Sequence, residues 1–164
     1  SSNNLRVLCR NISINNLEEQ IKIVQIPLYD GKPKILKMKE SKFIEGSAIN
    51  TFSKEFNHTG NRFNSNNSYH IVGSNIDFLL DQNIIKFPNY IKIDVDGLEH
   101  LIIKGFEEYL KKNNDQLKEF LIELNPEFID QYEQTVSILK DNGFHMDDEN
   151  NNRKSLTEYI FKKK

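Results

Sequence analysis

The chain has 164 residues, which is the size of one domain and is long enough to bury a substantial core. Its net charge of −2 and pI of about 6.1 give no electrostatic reason to expect binding to nucleic acid or to an anionic membrane. A single cysteine, Cys9, suits a reducing compartment, and no apolar run approaches the roughly 20 residues of a membrane span. No signal peptide opens the chain. We therefore expect residues 1–164 to be a single cytoplasmic domain without nucleic-acid or membrane partners.

The first half of the chain predicts a mixture of short elements. These are a helix over 5–14, strands over 21–28 and 34–38, a loop over 57–69 and a short helical run over 76–80. We expect Cys9 to be a small core residue of the first helix. Pro27 weakens a central ladder position in the first strand, and Asp30-Gly31 predicts the turn before the second strand. The loop is polar and rich in asparagine and serine, and is either a plain surface insertion or an active-site lid.

The middle of the chain predicts one strand followed directly by one helix. The β-rich run over 90–95 indicates the strand, and apolar residues at helical spacing indicate a helix over 98–112. Gly105 lies on the apolar face of this helix, where the missing side chain allows close approach to a sheet. His100 lies off that face, and we expect it at the surface. A strand feeding into a helix is half of a βαβ unit, so the pattern predicts an α/β protein.

Three acidic residues lie where this strand ends. In open α/β sheets, ligands bind outside the carboxyl ends of the strands, and Asp94 ends the strand there. Asp96 and Glu99 also have the spacing of a capping box, with Asp96 as N-cap and Glu99 at the third helical position. A purely structural role is therefore open for these two residues. Asp94 has no capping role, and we expect it to be functional.

The second half of the chain continues the alternation of strands and helices. The predicted elements are a strand over 119–124, a helix over 127–141 and strands over 143–147 and 157–162, all in one mainly parallel sheet. Asn125 and Pro126 predict the start of the helix, with Asn125 as its cap. Glu123 lies near the end of its strand, as either a second carboxylate of the site or simply its polar end.

The stretch over 90–105 resembles the signature of one family of enzymes. Its sequence YIKIDVDGLEHLIIKG is similar to the Ile-Lys-Ile-Asp-Val-Glu-Gly-x-Glu run and following helix of the FkbM family of S-adenosylmethionine-dependent methyltransferases, with Asp96 where Glu is usual. Phosphatases of the Asp-x-Asp type also carry paired acids after a strand, but Leu98 replaces their threonine. An EF-hand loop is disfavoured because Leu98 and Ile102 occupy ligand positions.

The resemblance implies a Rossmann-like class I sheet with helices on both faces and a C-terminal antiparallel strand pair. It implies O-methylation of a saccharide or small-molecule acceptor with S-adenosylmethionine as cofactor. Asp94 would position or deprotonate the acceptor, with Asp96, Glu99 and Glu123 as helpers or as ligands for a divalent ion of the magnesium type. The cofactor would contact the chain near Leu28, Tyr29 and Asp94.

One expected part of such a domain is missing from the sequence. A methyltransferase of this class opens with a strand and a glycine-rich turn, and no Gly-x-Gly occurs among the seven glycines of this chain. We therefore expect the chain to lack the first two strands and to expose sheet edges that favour self-association. A non-catalytic remnant that acts as an interaction module is the alternative function, and an Asp-x-Asp phosphatase is the less favoured one.

Overall fold

A computed structural model describes residues 1–112, 115–147 and 158–163 of the chain. The elements, in order, are α1 (Ser2–Ile14), β1 (Lys34–Glu40), β2 (Asn50–Phe52), β3 (Ser68–Gly73), α2 (Ile76–Asp81), β4 (Tyr90–Ile93), α3 (Glu99–Lys104), α4 (Glu107–Lys111), β5 (Glu119–Glu123), α5 (Ile129–Asp141), β6 (Phe144–Met146) and β7 (Glu158–Lys163). The protein is therefore α/β. Residue 157, the first of the last predicted strand, lies outside the described residues.

The C-terminal half forms a four-stranded sheet with the order β4-β5-β7-β6. β4 and β5 are parallel, with Tyr90 opposite Glu119, whereas β5–β7 and β6–β7 are antiparallel. The prediction of one mainly parallel sheet is wrong, because β7 returns between β5 and β6 and makes two of the three pairings antiparallel. The C-terminal strand pair and the parallel pair β4–β5 are both present, and β4 lies at the edge of the sheet.

The N-terminal half forms a separate antiparallel sheet with the order β2-β1-β3. β3 begins inside the predicted loop, which leaves 57–67 irregular apart from a bridge between Phe56 and Arg62. The predicted strand over 21–28 is wrong: residues 21–27 have no regular secondary structure, and Leu28 makes an isolated bridge to Ser74. Pro27 lacks an N–H for a ladder, and its carbonyl accepts from the N–H of Ser74 at 3.0 Å.

The main core lies around the four-stranded sheet. Four phenylalanines, each at most 2% exposed, fill it together with aliphatic residues of the helices: Phe106, Phe120, Phe144 and Phe161. The rings of Phe120 and Phe144 meet edge to face with centroids 4.9 Å apart. A second, smaller cluster of Tyr29, Phe52, Leu98 and Leu101 joins the antiparallel sheet to α3.

The predicted helix over 98–112 is broken into α3 and α4. The backbone of Gly105 approaches the 29–30 segment, where an added Cβ would lie 2.4 Å from the carbonyl oxygen of Tyr29. The close approach is therefore to this segment and not to a sheet as expected. Beyond the break, the Asp77 carboxylate accepts hydrogen bonds from the N–H groups of Glu108 and Tyr109 at 3.1 and 3.2 Å. Asp77 satisfies amides at the start of α4 that no preceding helical turn would pair.

Cys9 and His100 occupy environments opposite to those expected. Cys9 is exposed, because α1 buries only Ile12. His100 is 6% exposed and packs against the rings of Phe56 and Phe128, at centroid distances of 6.1 and 5.8 Å. Burial is the largest cause that lowers the pKa of His100. Across the described ranges, no helix combines the length and apolarity needed to cross a membrane.

Candidate functional site

A cleft of about 610 Å³ lies between α1, the 23–28 segment, the antiparallel sheet and the carboxyl end of β4. This volume is within the range of ligand-binding clefts, which is about 300–1,000 Å³. Apolar side chains from all of these elements and from α3 form most of its walls, among them Leu5, Ile26, Leu28, Met38, Phe52 and Ile102. Asp94 and Asp96 also line the cleft. The carboxyl end of β4, which the sequence predicts as a ligand site, therefore faces a concave surface.

Asp94 lies at the rim of the cleft beside Lys92 and Glu123. The Nζ of Lys92 lies 3.0 Å from the Asp94 carboxylate and 3.4 Å from that of Glu158. A hydrogen bond from Lys92 and a second with Glu123 lower the pKa of Asp94. Asp94 is therefore a carboxylate at neutral pH, and half of its side chain remains exposed to a ligand.

Asp96 points towards the antiparallel sheet and does not cap α3. Its Oδ2 accepts a hydrogen bond from the backbone N–H of Asn50 at 2.7 Å, while the N-cap position of α3 is Leu98, which makes no side-chain cap bond. The predicted N-cap role is wrong because Gly97 adopts a φ of +99°, which turns the chain between Asp96 and the helix. The Asp96 carboxylate is thereby fixed at the cleft wall.

Glu99 lies behind the acidic turn and is not among the residues that line the cleft. It is 1% exposed, and its Oε1 accepts from the N–H groups of Val95 and Gly97 at 3.2 and 3.5 Å. Its Oε2 accepts from the Nε2 of Gln131. Burial raises the pKa of Glu99 to about 7 although these hydrogen bonds favour the charged form.

Glu123 and Asn125 bring the end of β5 to the same region. Glu123 is exposed and interacts with Asp94, so the two carboxyl groups predicted at the strand ends are neighbours. Asn125 does not cap α5, because Phe128 occupies that position and the helix begins at Ile129. Its Oδ1 instead accepts from the N–H of Glu127 at 3.0 Å within the preceding turn.

Leu28 and Tyr29, the two predicted cofactor contacts other than Asp94, differ in whether they reach the cleft. Leu28 lines it, whereas Tyr29 is 9% exposed and is not among the lining residues. The Tyr29 ring packs edge to face on Phe52 at 5.7 Å, and its hydroxyl donates to the carbonyl of Lys32. Tyr29 therefore supports the wall that Phe52 presents to the cleft.

Sequence reasoning missed Asn50 as a residue of the site. Asn50 lines the cleft, and within the described ranges its buried Oδ1 has no hydrogen-bond partner. An unpaired buried acceptor is costly unless a ligand or water donates to it. Asn50 belongs to no motif, and its place beside Asp96 depends on pairing between β1 and β2. No local signal in the sequence could have identified it.

Among the His, Cys, Asp and Glu residues of ranges 1–112, 115–147 and 158–163, no group of three or more is placed to hold a metal ion. No family model, curated protein or solved structure matches the chain.

Proposed function

We propose that the cleft is the acceptor side of an S-adenosylmethionine-dependent methyltransferase site of the FkbM type, which methylates a hydroxyl of a saccharide or small-molecule acceptor. The observation that carries the proposal is that Asp94 and Asp96, at the carboxyl end of β4, line a largely apolar cleft. The order β4-β5-β7-β6 and its antiparallel end support a Rossmann-like sheet of this class. The single cysteine favours a cytoplasmic location.

The polar groups of the cleft fit a hydroxyl as the reacting group. Methyl transfer to oxygen needs an aligned hydroxyl and a group that takes its proton. Asp94 and Asp96 offer carboxylate acceptors, and the unpaired Oδ1 of Asn50 offers a third acceptor. Because neighbours lower the pKa of Asp94, it is a carboxylate at neutral pH, and we assign it to accepting the hydrogen bond that orients the hydroxyl. The hydroxyl becomes acidic as the new O–C bond forms, so even a weak base such as Asp94 can then receive its proton.

The cofactor fits the chain only in part. S-adenosylmethionine would supply the methyl group, and Leu28 and Asp94 are accessible to it in the cleft. Tyr29 is enclosed, and the sequence contains no Gly-x-Gly turn for close backbone approach. We therefore expect the 164-residue chain to bind it weakly or not at all.

Two measurements test the proposal. The full gene product is expected to transfer a labelled methyl group from S-adenosylmethionine to a hydroxylated acceptor in a panel of saccharides and small molecules. Absence of transfer across the panel would overturn the proposed function. Calorimetric titration of the 164-residue chain with S-adenosylmethionine tests the partial fit. Saturable binding in the low micromolar range would show that another segment of this chain forms a cofactor site.

An interaction module is the second candidate, favoured by apolar residues exposed beside the cleft. Leu8, Ile23 and Val24 are 44%, 37% and 37% exposed and also line the cleft. Such a surface suits self-association. The assay of methyl transfer separates this candidate from the first, because a module is expected to leave S-adenosylmethionine unused. Sedimentation equilibrium then measures whether the module self-associates. Magnesium-dependent phosphate release would instead indicate an Asp-x-Asp phosphatase.

A further inference from the structure

Glu99 and Gln131 form a buried polar link between the two loops that follow β4 and β5. Glu99 is 1% and Gln131 is 2% exposed, and neither lines the cleft. We propose that this pair is a positioning device, which holds the Asp94–Asp96 turn at the cleft and fixes the 57–61 loop over the same end of the sheet. The inference rests on the proposed function for the importance of Asp94 and Asp96, but its structural test needs no substrate.

The first half of the link fixes the acidic turn through its backbone. Glu99 Oε1 accepts from the N–H groups of Val95 and Gly97, the residues on either side of Asp96. Glu99 thus uses one oxygen to hold the turn from behind, while the carboxylates of Asp94 and Asp96 face the cleft. A rigid backbone at this point sets the direction of both side chains.

The second half of the link reaches the loop after β5. Gln131 Nε2 donates to Glu99 Oε2, and Gln131 Oε1 accepts from the N–H of Asn125 at 2.8 Å. Every polar atom of the two side chains therefore has a partner of the opposite kind. The Glu99 and Gln131 side chains therefore join the loop after β4 to the loop after β5.

The 57–61 loop contacts both the loop after β4 and the loop after β5. Asn125 Nδ2 donates to the carbonyl of His58 at 3.2 Å. On the other side, Gly97 lies against the same loop, where an added Cβ would be 2.8 Å from His58 Cα and 2.9 Å from the carbonyl oxygen of Asn57. The loop thus packs against the loop after β4 and is hydrogen-bonded to the loop after β5, and the Glu99–Gln131 pair joins those two loops to each other.

The direction of each hydrogen bond determines which residue types the link accepts. A glutamine at position 99 can accept from the Val95 and Gly97 amides, but its Nε2 then faces the Nε2 of Gln131, so two donors meet. A glutamate at position 131 places a second carboxyl group against that of Glu99, so two acceptors meet wherever the pH is high enough to charge both. Exchanging the two residues restores matching: Gln at 99 donates to Glu at 131, which accepts from the N–H of Asn125.

The test compares Glu99→Gln, Gln131→Glu and the double exchange Glu99→Gln/Gln131→Glu. Amide hydrogen exchange is followed at Val95, Gly97 and Asn125 and corrected for global stability. We expect each single variant to exchange about tenfold or more faster at one or more of these amides, because a buried partner is lost. The double variant is expected to return to within about threefold of wild type. If a single variant fails to fold, a double variant that folds and protects these amides like the wild type supports the proposal in the same way.

Asp77→Asn is the matched control. Asp77 is also a buried carboxylate that accepts from two backbone amides, but it lies outside the cleft lining. It is expected to change exchange at Glu108 and Tyr109 and to leave Val95, Gly97 and Asn125 unaffected. Unchanged protection in both single variants, or a double variant no better than the singles, would overturn the proposal.

Methyl transfer by the same variants of the full gene product separates this inference from the proposed function. If the device positions the acceptor groups, the single variants lower kcat and the double variant recovers it. Recovery of amide protection without recovery of kcat would contradict the role in positioning Asp94 and Asp96. If wild type shows no transfer, the proposed function is lost and amide exchange still decides whether the device exists.

Discussion

The Oδ2 of Asp96 accepts a hydrogen bond from the backbone N–H of Asn50 at 2.7 Å, which ties the turn after β4 to the first residue of β2. Asn50 belongs to the antiparallel sheet, Asp96 follows a strand of the other sheet, and the two are 46 positions apart in the chain. The bond therefore fixes how the acidic turn lies against the antiparallel sheet. The cleft between the two sheets depends on this relationship for one of its walls.

Replacing Asp96 tests this connection. We expect Asp96→Ala to lower the free energy of unfolding by about 1–3 kcal/mol, because a charge-assisted acceptor is removed from a partly buried amide. Asp96→Asn keeps an oxygen that accepts from Asn50 and is expected to cost less. Urea denaturation of both variants measures the difference. Equal losses for Ala and Asn would show that the charge of Asp96, and not this hydrogen bond, is what matters.

Glu99 is expected to make stability depend on pH in an unusual direction for a carboxylate. Burial raises its pKa to about 7, above an ordinary value near 4.5, so the folded state binds the proton more tightly than the unfolded chain. Its contribution is fully present below pH 4.5 and is lost as the pH rises to 7. A shift of this size corresponds to about 3 kcal/mol.

The measurement is the difference in unfolding free energy between wild type and Glu99→Gln at several pH values. Gln does not titrate, and His100 titrates in both proteins, so the difference isolates Glu99. The stability of wild type relative to the variant should fall from pH 4.5 to 7 and then remain constant. A difference that stays flat, or rises, over this range would contradict the raised pKa of Glu99.

Gly105 allows α3 to end against the 29–30 segment. We expect Gly105→Ala to destabilise the fold by about 1–3 kcal/mol, as is typical when a packed site receives extra atoms. Backbone strain is not the cause, since φ at Gly105 is −73°. The neighbouring Lys104→Ala is the control, because its side chain is half exposed and loses only a surface ion pair with Asp30. Thermal unfolding compares the two, and equal changes would argue against the close contact.

The parts of this fold that could be predicted are the elements determined by residues close together in the chain. The strand before Asp94 and the amphipathic helix after it follow from apolar spacing, and the neighbouring strand that ends at Glu123 follows in the same way. Their parallel pairing brings Asp94 beside Glu123, as the α/β pattern implied. The candidate carboxylates at the strand ends therefore came from the sequence alone.

The parts that could not be predicted depend on contacts distant in sequence. β1 pairs with β3 across the polar segment that contains the 57–61 loop, and the burial pattern of these strands is only partly alternating. The break at Gly105 leaves the apolar spacing unchanged, because it results from the nearby carbonyl of Tyr29. Asn50 enters the site through the β1–β2 pairing, and no local pattern encodes that.

Replacing Asp94 tests the proposed function most directly. In the full gene product, Asp94→Asn is expected to lower methyl transfer by about 10²–10⁴-fold, because Asn keeps the shape but cannot receive the proton of the acceptor hydroxyl. The fold should remain intact, since the Asp94–Lys92 ion pair is half exposed and such pairs contribute little to stability.

Asp30→Asn is the matched control for Asp94, because Asp30 also faces a lysine but does not line the cleft. Transfer rates are compared at saturating acceptor, and far-UV circular dichroism with urea denaturation confirms that both variants are folded. We expect the Asp30 variant to retain the wild-type rate. The rate of Asp94→Asn should also fail to recover at high pH, because an amide cannot be deprotonated to replace the carboxylate. Near-wild-type transfer by a folded Asp94→Asn protein would remove Asp94 from the reaction and leave the cleft as a binding surface only.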